Sequence, residues 1–259
     1  MNIVFDIGNT ETVIGLFRDG ALIDHWRVST RPDRTIDEVG LLVRSLLRES
    51  GFQADQLHAA AVASVVPPVT RIVADAAARH LGTRVFVVDA RTPLPIRLDV
   101  DEPHSVGADR IVNTLAALEL YHRDTIAVDL GTATTFDCIT ADGTFIGGVI
   151  APGPGTAAES LVRRTAVLPR VDLQPPPLTI GRRTDLAIRS GVVFGTIDAI
   201  DGIVRRIQRE WSPDALVVAT GGLAPVLAPH CQTIERVEPF LTLIGLDLAL
   251  RYLLEQEIA

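Results

Sequence analysis

Apolar positions along this chain follow two spacings, and their alternation predicts strands interleaved with helices. Residues 3–5 form a short apolar run that ends at an aspartate, and residues 13–17 form a second run after a polar bend. Residues 19–20, Asp-Gly, are a hairpin turn signal, and a third strand is predicted over 21–28. Residues 36–49 instead carry apolar side chains at the three- and four-residue spacing of a helix. We therefore predict an α/β fold for the first part of the chain.

Cap residues mark where several predicted helices begin. Thr35, with Glu38 three residues later, forms a capping box before the first helix. Ser105 is predicted to cap a helix over 106–121, and Thr184 is predicted to cap a long helix near the end of the chain. The remaining elements are predicted as strands over 59–64, 84–88, 144–150, 215–219 and 233–237, and a closing helix over 240–255.

The opening stretch of the chain occurs a second time, 123 residues later and without a gap. Asp6 falls on Asp129 and Gly8 on Gly131. In both copies an apolar run precedes the acid and a second run follows the threonines. A repeat of about half the chain length indicates two duplicated domains and not a solenoid. The predicted domains are 1–121 and 122–259.

Each predicted hairpin has an acid, a glycine and small polar residues at its bend, and the same offset aligns Thr12 with Thr135. Glycine adopts backbone conformations that other residues avoid, and hydroxyl, amide and carboxylate groups suit a phosphate and a metal ion. Taken singly, such a bend is typical of an ordinary Gly-Asn turn. Occurring twice at equivalent places, it favours a pair of phosphate-binding hairpins.

The charged residues restrict the chemistry that this chain can perform. All 24 basic residues are arginine, and the sequence contains no lysine. This excludes a P-loop lysine, a protein-kinase-type catalytic lysine and Schiff-base catalysis. A phosphate site here has to use main-chain amides, hydroxyls, arginine and a cation. The formal net charge of −8 argues against a nucleic-acid surface.

Nothing in the sequence predicts secretion or insertion into a membrane. No run approaches the roughly 20 apolar residues that span a bilayer, and the N-terminus enters a strand without the basic region of a signal peptide. Cys138 and Cys231 lack the spacing of metal ligands and are predicted to be reduced thiols. We therefore expect a cytoplasmic protein without a membrane or nucleic-acid partner.

The first turn of one predicted helix carries candidate chemistry. Residues 107–110 read Gly-Ala-Asp-Arg, and Asp109 shares a helix face with Asn113. A carboxylate at a helix N-terminus is stabilised by the helix dipole, so Asp109 is expected to be a weak base. That stabilisation is also a sufficient reason for an aspartate at this position without any catalytic role.

Glycines indicate two further candidate sites, one for helix packing and one for nucleotide binding. Gly191 and Gly195 lie four residues apart on the long predicted helix, a strip that suits close packing of another helix from this chain or from a second subunit. Residues 220–222, Thr-Gly-Gly, follow a predicted strand and precede a helix, an arrangement found where a nucleotide binds.

Together these features resemble the superfamily of acetate and sugar kinases, heat-shock chaperone ATPases and actin. The resemblance implies two duplicated ribonuclease-H-like domains facing an ATP cleft, the actin-like ATPase fold. Within that superfamily the chain resembles the type III pantothenate kinases, on motifs that occur in the order of that family. The motifs are DIGNT at 6–10, SVVP at 64–67, GADR at 107–110, DLGTATTFD at 129–137, GGVIAPG at 147–153 and SGVVFG at 190–195.

This resemblance implies an activity and its cofactors. The reaction is ATP-dependent phosphorylation of the primary hydroxyl of pantothenate to 4'-phosphopantothenate, the first step of coenzyme A biosynthesis. The implied cofactors are Mg²⁺ with ATP and a monovalent cation, K⁺ or NH₄⁺. The implied assembly is a homodimer with the substrate site near the subunit interface.

The resemblance also implies roles for individual residues. Asp129 binds potassium, Thr132 binds the nucleotide, and Asp109 accepts the proton of the reacting alcohol. Arg110, on another face of the helix, suits the substrate carboxylate or the moving phosphoryl group. The implied pantothenate-binding residues are Gly107, Ala108, Asp109, Arg110 and Thr184. The residues implied to surround the ATP phosphates are Asp6, Ile7, Gly8, Asn9, Thr10, Glu11, Thr12 and Val13.

One residue departs from the family pattern, and three other functions fit parts of the sequence. Val100 stands three residues before Pro103, where the family often has a tyrosine that contacts the substrate. A sugar kinase of the same superfamily is an alternative, although those enzymes usually carry a DxGGT hairpin and this chain has Asn9 in place of the second glycine. A nucleotide-binding regulator and a polyphosphate phosphatase are the other two.

Overall fold

Contacts within the chain divide the computed structural model, which describes residues 1–258, into two units. The first comprises Met1–Leu120, Gly143–Phe145 and the closing segment from Leu241. The second comprises Tyr121–Asp142 and Ile146–Phe240.

The first unit is built on a sheet with the strand order β3-β2-β1-β4-β5. β1 pairs antiparallel with β2 and parallel with β4, and β2 pairs antiparallel with β3. The strands are β1 (Asn2–Ile7), β2 (Glu11–Arg18), β3 (Ala21–Ser29), β4 (Ala59–Ser64) and β5 (Arg84–Val88). The two-residue strand β6 (Arg97–Leu98) pairs with Thr144 and Phe145.

Two helices of the first unit bury apolar side chains in one core with this sheet. α1 (Ile36–Glu49) buries Val39, Val43 and Leu47 in the core of the unit. It begins with the predicted capping box, in which both reciprocal hydrogen bonds between Thr35 and Glu38 are present. The other helices are α2 (Pro67–Ala76), α3 (Ala108–Tyr121) and α7 (Leu241–Ile258).

The closing helix α7 joins the first unit, which differs from the predicted division at residue 121. It packs on β1 and β4 and fully buries Leu246, Ala249 and Leu250. The buried carboxylate of Asp247 accepts a hydrogen bond from Asn2 at 3.1 Å. The boundary is displaced because an apolar helix packs where a sheet face accepts it, and order along the chain does not reveal that face.

The other sheet has six strands in the order β11-β10-β7-β8-β9-β6, and all of it belongs to the second unit except β6 and the first two residues of β9. The core of the second unit includes Phe136, Val193, Ile200 and Val217, each at most 1% exposed. The strands are β7 (Thr125–Leu130), β8 (Ala133–Ile139), β9 (Thr144–Pro152), β10 (Leu216–Thr220) and β11 (Arg236–Val237), and the helices are α4 (Pro154–Arg164), α5 (Thr184–Glu210) and α6 (Ala224–Leu227).

The predicted repeat is present in the secondary structure. A shift of 123 residues moves the bounds of β1 onto those of β7, and the bounds of β3 onto those of β9. The hairpin tips differ by one residue, because Ile7 pairs with Thr12 in the first unit but Leu130 pairs with Thr134 in the second. Thr12 therefore corresponds to Thr134 in space, and the predicted equivalence with Thr135 is wrong at this point.

Two predicted caps are also wrong. Residues 103–105 form a short 3-10 turn in which the Ser105 hydroxyl donates to Glu102 O at 2.8 Å, and α3 begins only at Ala108. Thr184 is the first residue of α5, and the preceding Arg183 occupies the cap position without a side-chain cap. Ser105 does not cap α3, because its hydroxyl binds Glu102 O. Thr184 does not cap α5, because the helix already includes it. Among residues 1–258, no helix is long and apolar enough to cross a membrane.

Candidate active site

The tip of the first hairpin lies between β1 and β2 and is closed by its own main chain. Gly8 N–H donates to Glu11 O at 3.0 Å. Thr30, which directly follows β3, donates its main-chain N–H to Thr10 O at 3.0 Å and its hydroxyl to Gly8 O at 2.7 Å. The tip is thus held both from within and by the end of the third strand.

The side chains of this tip differ in their exposure to solvent. Asn9, Thr10 and Glu11 are exposed, and Glu11 forms an ion pair with Arg27 at 2.7 Å. Thr12 is 5% exposed, and its hydroxyl lies 3.0 Å from that of Thr30.

The residues on either side of the tip are more enclosed. Ile7 is fully buried, so only its main chain is available to a ligand, and its carbonyl already accepts from Val65 N–H at 3.1 Å. Asp6 and Val13, which pair across the hairpin, are half-buried.

The tip of the second hairpin is held by the start of α4. Thr132 O accepts from Gly153 N–H at 3.1 Å and from the Thr156 hydroxyl at 2.6 Å. Gly153 approaches so closely that a side chain there would overlap the carbonyl oxygens of Gly131 and Thr132. The main chain at Gly153 therefore packs directly on the tip of the second hairpin.

Asp129 is the last residue but one of β7 and lies beside the start of the turn that follows β10. In the parallel pairing Asp129 lies opposite Thr220, so their side chains are on the same face of the sheet. Gly221 has a φ of +87°, and a side chain there would overlap the Asp129 carboxylate. The Thr220 hydroxyl is 1% exposed and has no hydrogen-bond partner within residues 1–258.

This arrangement fits the cation expected from the sequence. A carboxylate and an unpartnered buried hydroxyl on one sheet face are hard oxygen ligands, the type that cations such as K⁺ and Mg²⁺ prefer. The described residues contain no cluster of three or more His, Cys, Asp or Glu side chains that could hold a metal ion.

The first turn of α3 places Asp109 in a confined environment. Its Oδ1 atom accepts the Arg110 main-chain N–H at 2.9 Å and occupies the space that a side chain at Gly107 would need. Burial raises the pKa of Asp109 above its ordinary value of 3.8, against the opposing effects of the Arg110 N–H and guanidinium. Asp109 is therefore a stronger base than the helix dipole alone predicted, because removal of water outweighs the dipole.

Val65 connects the first turn of α3 to the end of β1. The Val65 Cγ1 atom is 3.6 Å from the position that a Cβ atom at Gly107 would take. Because Val65 also donates its N–H to Ile7 O, the start of α3 and the first hairpin are joined within the first unit.

Arg110 and Asn113 are both tied to neighbouring elements. The Arg110 guanidinium carbon lies 4.9 Å from the ring centroid of the buried Phe145, a cation–π geometry that fixes a long side chain. Asn113 is 1% exposed and accepts the Thr242 hydroxyl at 3.0 Å. Asn113 therefore connects α3 to α7, although the sequence placed it with Asp109.

Thr184 is exposed at the first residue of α5, in the second unit. The structure thus groups 6–13 and 107–110 in the first unit, and Asp129, Thr132 and Thr184 in the second. Thr30, Thr156 and Phe145 were not predicted from the sequence. The repeat offset of 123 residues aligns Thr30 with Gly153, but it does not indicate that Thr30 contacts the hairpin.

An open apolar groove with a cavity volume of about 680 Å³ lies on the second unit. It runs along α5, where a side chain at Gly191 or Gly195 would meet no other atom. α4 forms its other wall with Ala157 and Leu161, and the buried Thr134 hydroxyl at its base has no hydrogen-bond partner in residues 1–258. The glycine strip that the sequence marked is therefore not covered by another part of the described chain.

Comparison with known proteins gives one consistent result. The family model for type III pantothenate kinase matches residues 2–206. A type III pantothenate kinase from Moorella thermoacetica is 43% identical over 248 residues, which cover 95% of this chain and 97% of that protein.

Solved structures agree on the fold. A Campylobacter jejuni protein described as a Baf family transcriptional activator has a TM-score of 0.61 at 18% identity, covering 96% of this chain and 98% of its own. A ROK hexokinase from Thermus thermophilus has a TM-score of 0.51 at 14% identity, covering 98% of this chain and 99% of its own. At these identities the likeness concerns the fold, which is the α/β fold of the actin-like ATPases and sugar kinases.

Proposed function

The chain belongs to the type III pantothenate kinase family and is an enzyme that phosphorylates pantothenate with ATP in coenzyme A biosynthesis, and we propose how its residues share that reaction. The observation that carries this division is the environment of Asp109, a half-buried carboxylate at the first turn of α3 whose pKa is raised by its removal from water. The remaining residues are proposed to bind the two substrates, align their reacting groups and neutralise the charge of the phosphates.

Asp109 is proposed as the proton acceptor. In the reaction a bond forms between the primary hydroxyl oxygen of pantothenate and the γ-phosphorus of ATP, and the bond from that phosphorus to the bridging oxygen breaks. The hydroxyl proton passes to Asp109, and ADP leaves. Because phosphoryl transfer needs little proton abstraction before its transition state, a carboxylate is a sufficient proton acceptor.

The other first-unit residues of the α3 turn are proposed to hold pantothenate. Gly107 leaves room for the Asp109 carboxylate, and the buried Ala108 anchors the turn. The Arg110 guanidinium, held against Phe145, supplies a fixed positive group for the substrate carboxylate or the phosphoryl group. Thr184 is proposed to complete the substrate site.

The two hairpins are proposed to hold the nucleotide. In the first, main-chain groups of Asp6–Val13 contact the phosphates, with the side chains of Asn9 and Thr10 exposed beside them. In the second, Thr132 contacts the nucleotide. Without lysine in the sequence, main-chain N–H groups and cations supply the positive potential.

Asp129 and Thr220 are proposed to hold the monovalent cation, K⁺ or NH₄⁺, with Mg²⁺ accompanying ATP. When bound, these cations offset the negative charge of the phosphates. The test is turnover in potassium, ammonium and sodium salts at equal ionic strength. Undiminished activity in sodium alone would refute the potassium assignment.

The groove along α5 is proposed as the homodimer interface. It is apolar, open and centred on Gly191 and Gly195, and burial of such a surface drives association. Gly191→Glu fits the isolated chain, because no atom lies near that position, and is expected to give a monomer in sedimentation analysis. Gly202→Glu, on the same helix at another open position, is the matched control. A dimer that survives in Gly191→Glu would exclude this surface.

The cytoplasm is the proposed compartment, supported by two free thiols, Cys138 and Cys231. The substrate is tested by an assay with ATP and potassium, comparing pantothenate with a panel of small sugars and with polyphosphate. Transfer to pantothenate alone is expected. Transfer to a sugar, or release of phosphate without an acceptor, would favour one of the alternative functions.

A further inference from the structure

Thr30 lies outside every motif in the sequence, yet it makes three hydrogen bonds to the first hairpin. Its Oγ1 atom is 2.7 Å from Gly8 O and 3.0 Å from Thr12 Oγ1, and its main-chain N–H donates to Thr10 O at 3.0 Å. A carbonyl oxygen cannot donate, so the single Thr30 hydroxyl proton goes to Gly8 O. The Thr12 hydroxyl must then donate to Thr30.

These bonds determine how the tip presents its main chain. The carbonyl of Gly8 and the N–H of Asn9 belong to one planar trans peptide and point in opposite directions. When Thr30 holds the Gly8 carbonyl, it therefore also directs the Asn9 N–H away from Thr30. Main-chain N–H groups held in a fixed direction at a turn are a binding element for anions such as phosphate.

We propose that Thr30 is a positioning residue for ATP, which fixes the orientation of the first hairpin tip through its hydroxyl. The inference rests on the proposed role of this hairpin in binding the ATP phosphates. Thr30 itself does not touch ATP in this account, because its only proton is used on Gly8.

The hairpin tip of the second unit is held in a related way, by Gly153 and Thr156. The residue 123 positions after Thr30 is Gly153, whose N–H donates to Thr132 O at 3.1 Å, as the Thr30 N–H donates to Thr10 O. Gly153 has no hydroxyl, and the second donor to Thr132 O is the Thr156 hydroxyl at 2.6 Å. Both hairpins thus receive an N–H and a hydroxyl from the residues that follow the third strand.

The test is a pair of variants at residue 30 assayed with each substrate varied in turn. Thr30→Val keeps the shape of the side chain and removes the hydroxyl, and it is expected to raise the KM for ATP about 10-fold, since two modest hydrogen bonds are lost. The KM for pantothenate is expected to stay unchanged. Thr30→Ser, which keeps the hydroxyl, is expected to restore the KM for ATP. Calorimetric titration with ADP should show the same order of affinities without an acceptor substrate.

Thr70→Val is the matched control, because the half-buried Thr70 also donates its hydroxyl to a main-chain carbonyl, Val66 O, at 3.2 Å in the same unit. It should leave both KM values unchanged. Equal ATP affinity in Thr30→Val and the wild type, or equal loss for both substrates, would overturn the proposal. If Thr30→Val does not fold, Thr30→Ala removes the same hydroxyl and is judged by the same criteria. Failure of the wild type to phosphorylate pantothenate would instead refute the proposed function.

Discussion

The carboxylate of Asp109 turns back over Gly107, and its Oδ1 atom fills the space that a side chain at residue 107 would occupy. A methyl group at this position must displace the carboxylate. We expect Gly107→Ala to lower kcat by about 10²-fold, the size of effect that a misplaced reacting group produces. Steady-state kinetics with ATP saturating would measure this loss.

The control for this substitution is Gly202→Ala, since an added side chain at Gly202 meets no atom within 4 Å. It should leave kcat unchanged and tests for an effect of alanine itself. Normal turnover in Gly107→Ala would show that the observed position of the Asp109 carboxylate is not needed for the reaction.

Asp109→Asn removes the proposed proton acceptor while keeping its shape. Turnover is expected to fall about 10²-fold or more, the range for a positioned general base. Nucleotide binding should persist, because the hairpin residues are untouched, and ADP titration would measure it. An Asp109→Asn enzyme with near-normal turnover would refute the catalytic role.

The stability of Asp109→Asn should change in the opposite direction to its activity. Burial raises the pKa of Asp109 above 3.8, so between 3.8 and that raised value the folded chain binds more protons than the unfolded chain. Stability contributed by this group therefore falls as pH rises through the window. At neutral pH the variant should unfold at a higher temperature than the wild type, and the difference should vanish on acidification to the ordinary carboxyl pKa. A lower melting temperature of the variant at neutral pH would contradict this.

Gly221→Ala tests the proposed cation site. The residue has a φ of +87°, and its side chain would overlap the Asp129 carboxylate, so alanine is strained and also displaces the acid. We expect the potassium concentration for half-maximal activity to rise about 10-fold, with the melting temperature also lowered by the strain. Titration of activity with potassium, beside Gly202→Ala, would measure it; an unchanged potassium dependence would count against Asp129 as the ligand.

Asp201 offers a stability prediction away from the reaction. It is 5% exposed and accepts the Gln232 and Thr233 N–H groups and the Thr233 hydroxyl, the last at 2.7 Å. Burial alone would raise its pKa, but these donors, with Arg205, lower it. Stability from this group is thus present above pH 3.8 and is lost as pH falls through the lowered pKa.

Asp201→Asn should cost about 2 kcal/mol at neutral pH, the usual value for hydrogen bonds to a charged group. Denaturant unfolding would measure the cost, which should shrink in acid, and kcat should not change. A variant as stable as the wild type at neutral pH would show that the loop at 231–233 is held by other contacts.

Local sequence was sufficient for most of the strands and helices and for the existence of the repeat. The capping box of Thr35 and Glu38 depends on residues three apart, and it is present as predicted. The offset of 123 residues locates both β7 and β9 to the residue, because duplicated segments keep the same alternation of apolar and polar positions. Family membership likewise follows from motifs that are contiguous in the sequence.

Tertiary structure decided what depends on residues far apart. The place of α7 follows from the burial of Leu246, Ala249 and Leu250 on a sheet formed at the other end of the chain. The raised pKa of Asp109 follows from the exclusion of water by surrounding elements, which outweighs the local helix dipole.

The first hairpin shows the same division most clearly. The sequence alone identified residues 6–13 as a polar turn that occurs twice, since composition and spacing are properties of a contiguous segment. It contained no sign that Thr30, 22 residues from Gly8, holds the tip. A hydrogen bond depends on distance and direction in space, and those are determined only when β3 has paired with β2 and carried Thr30 back to the turn.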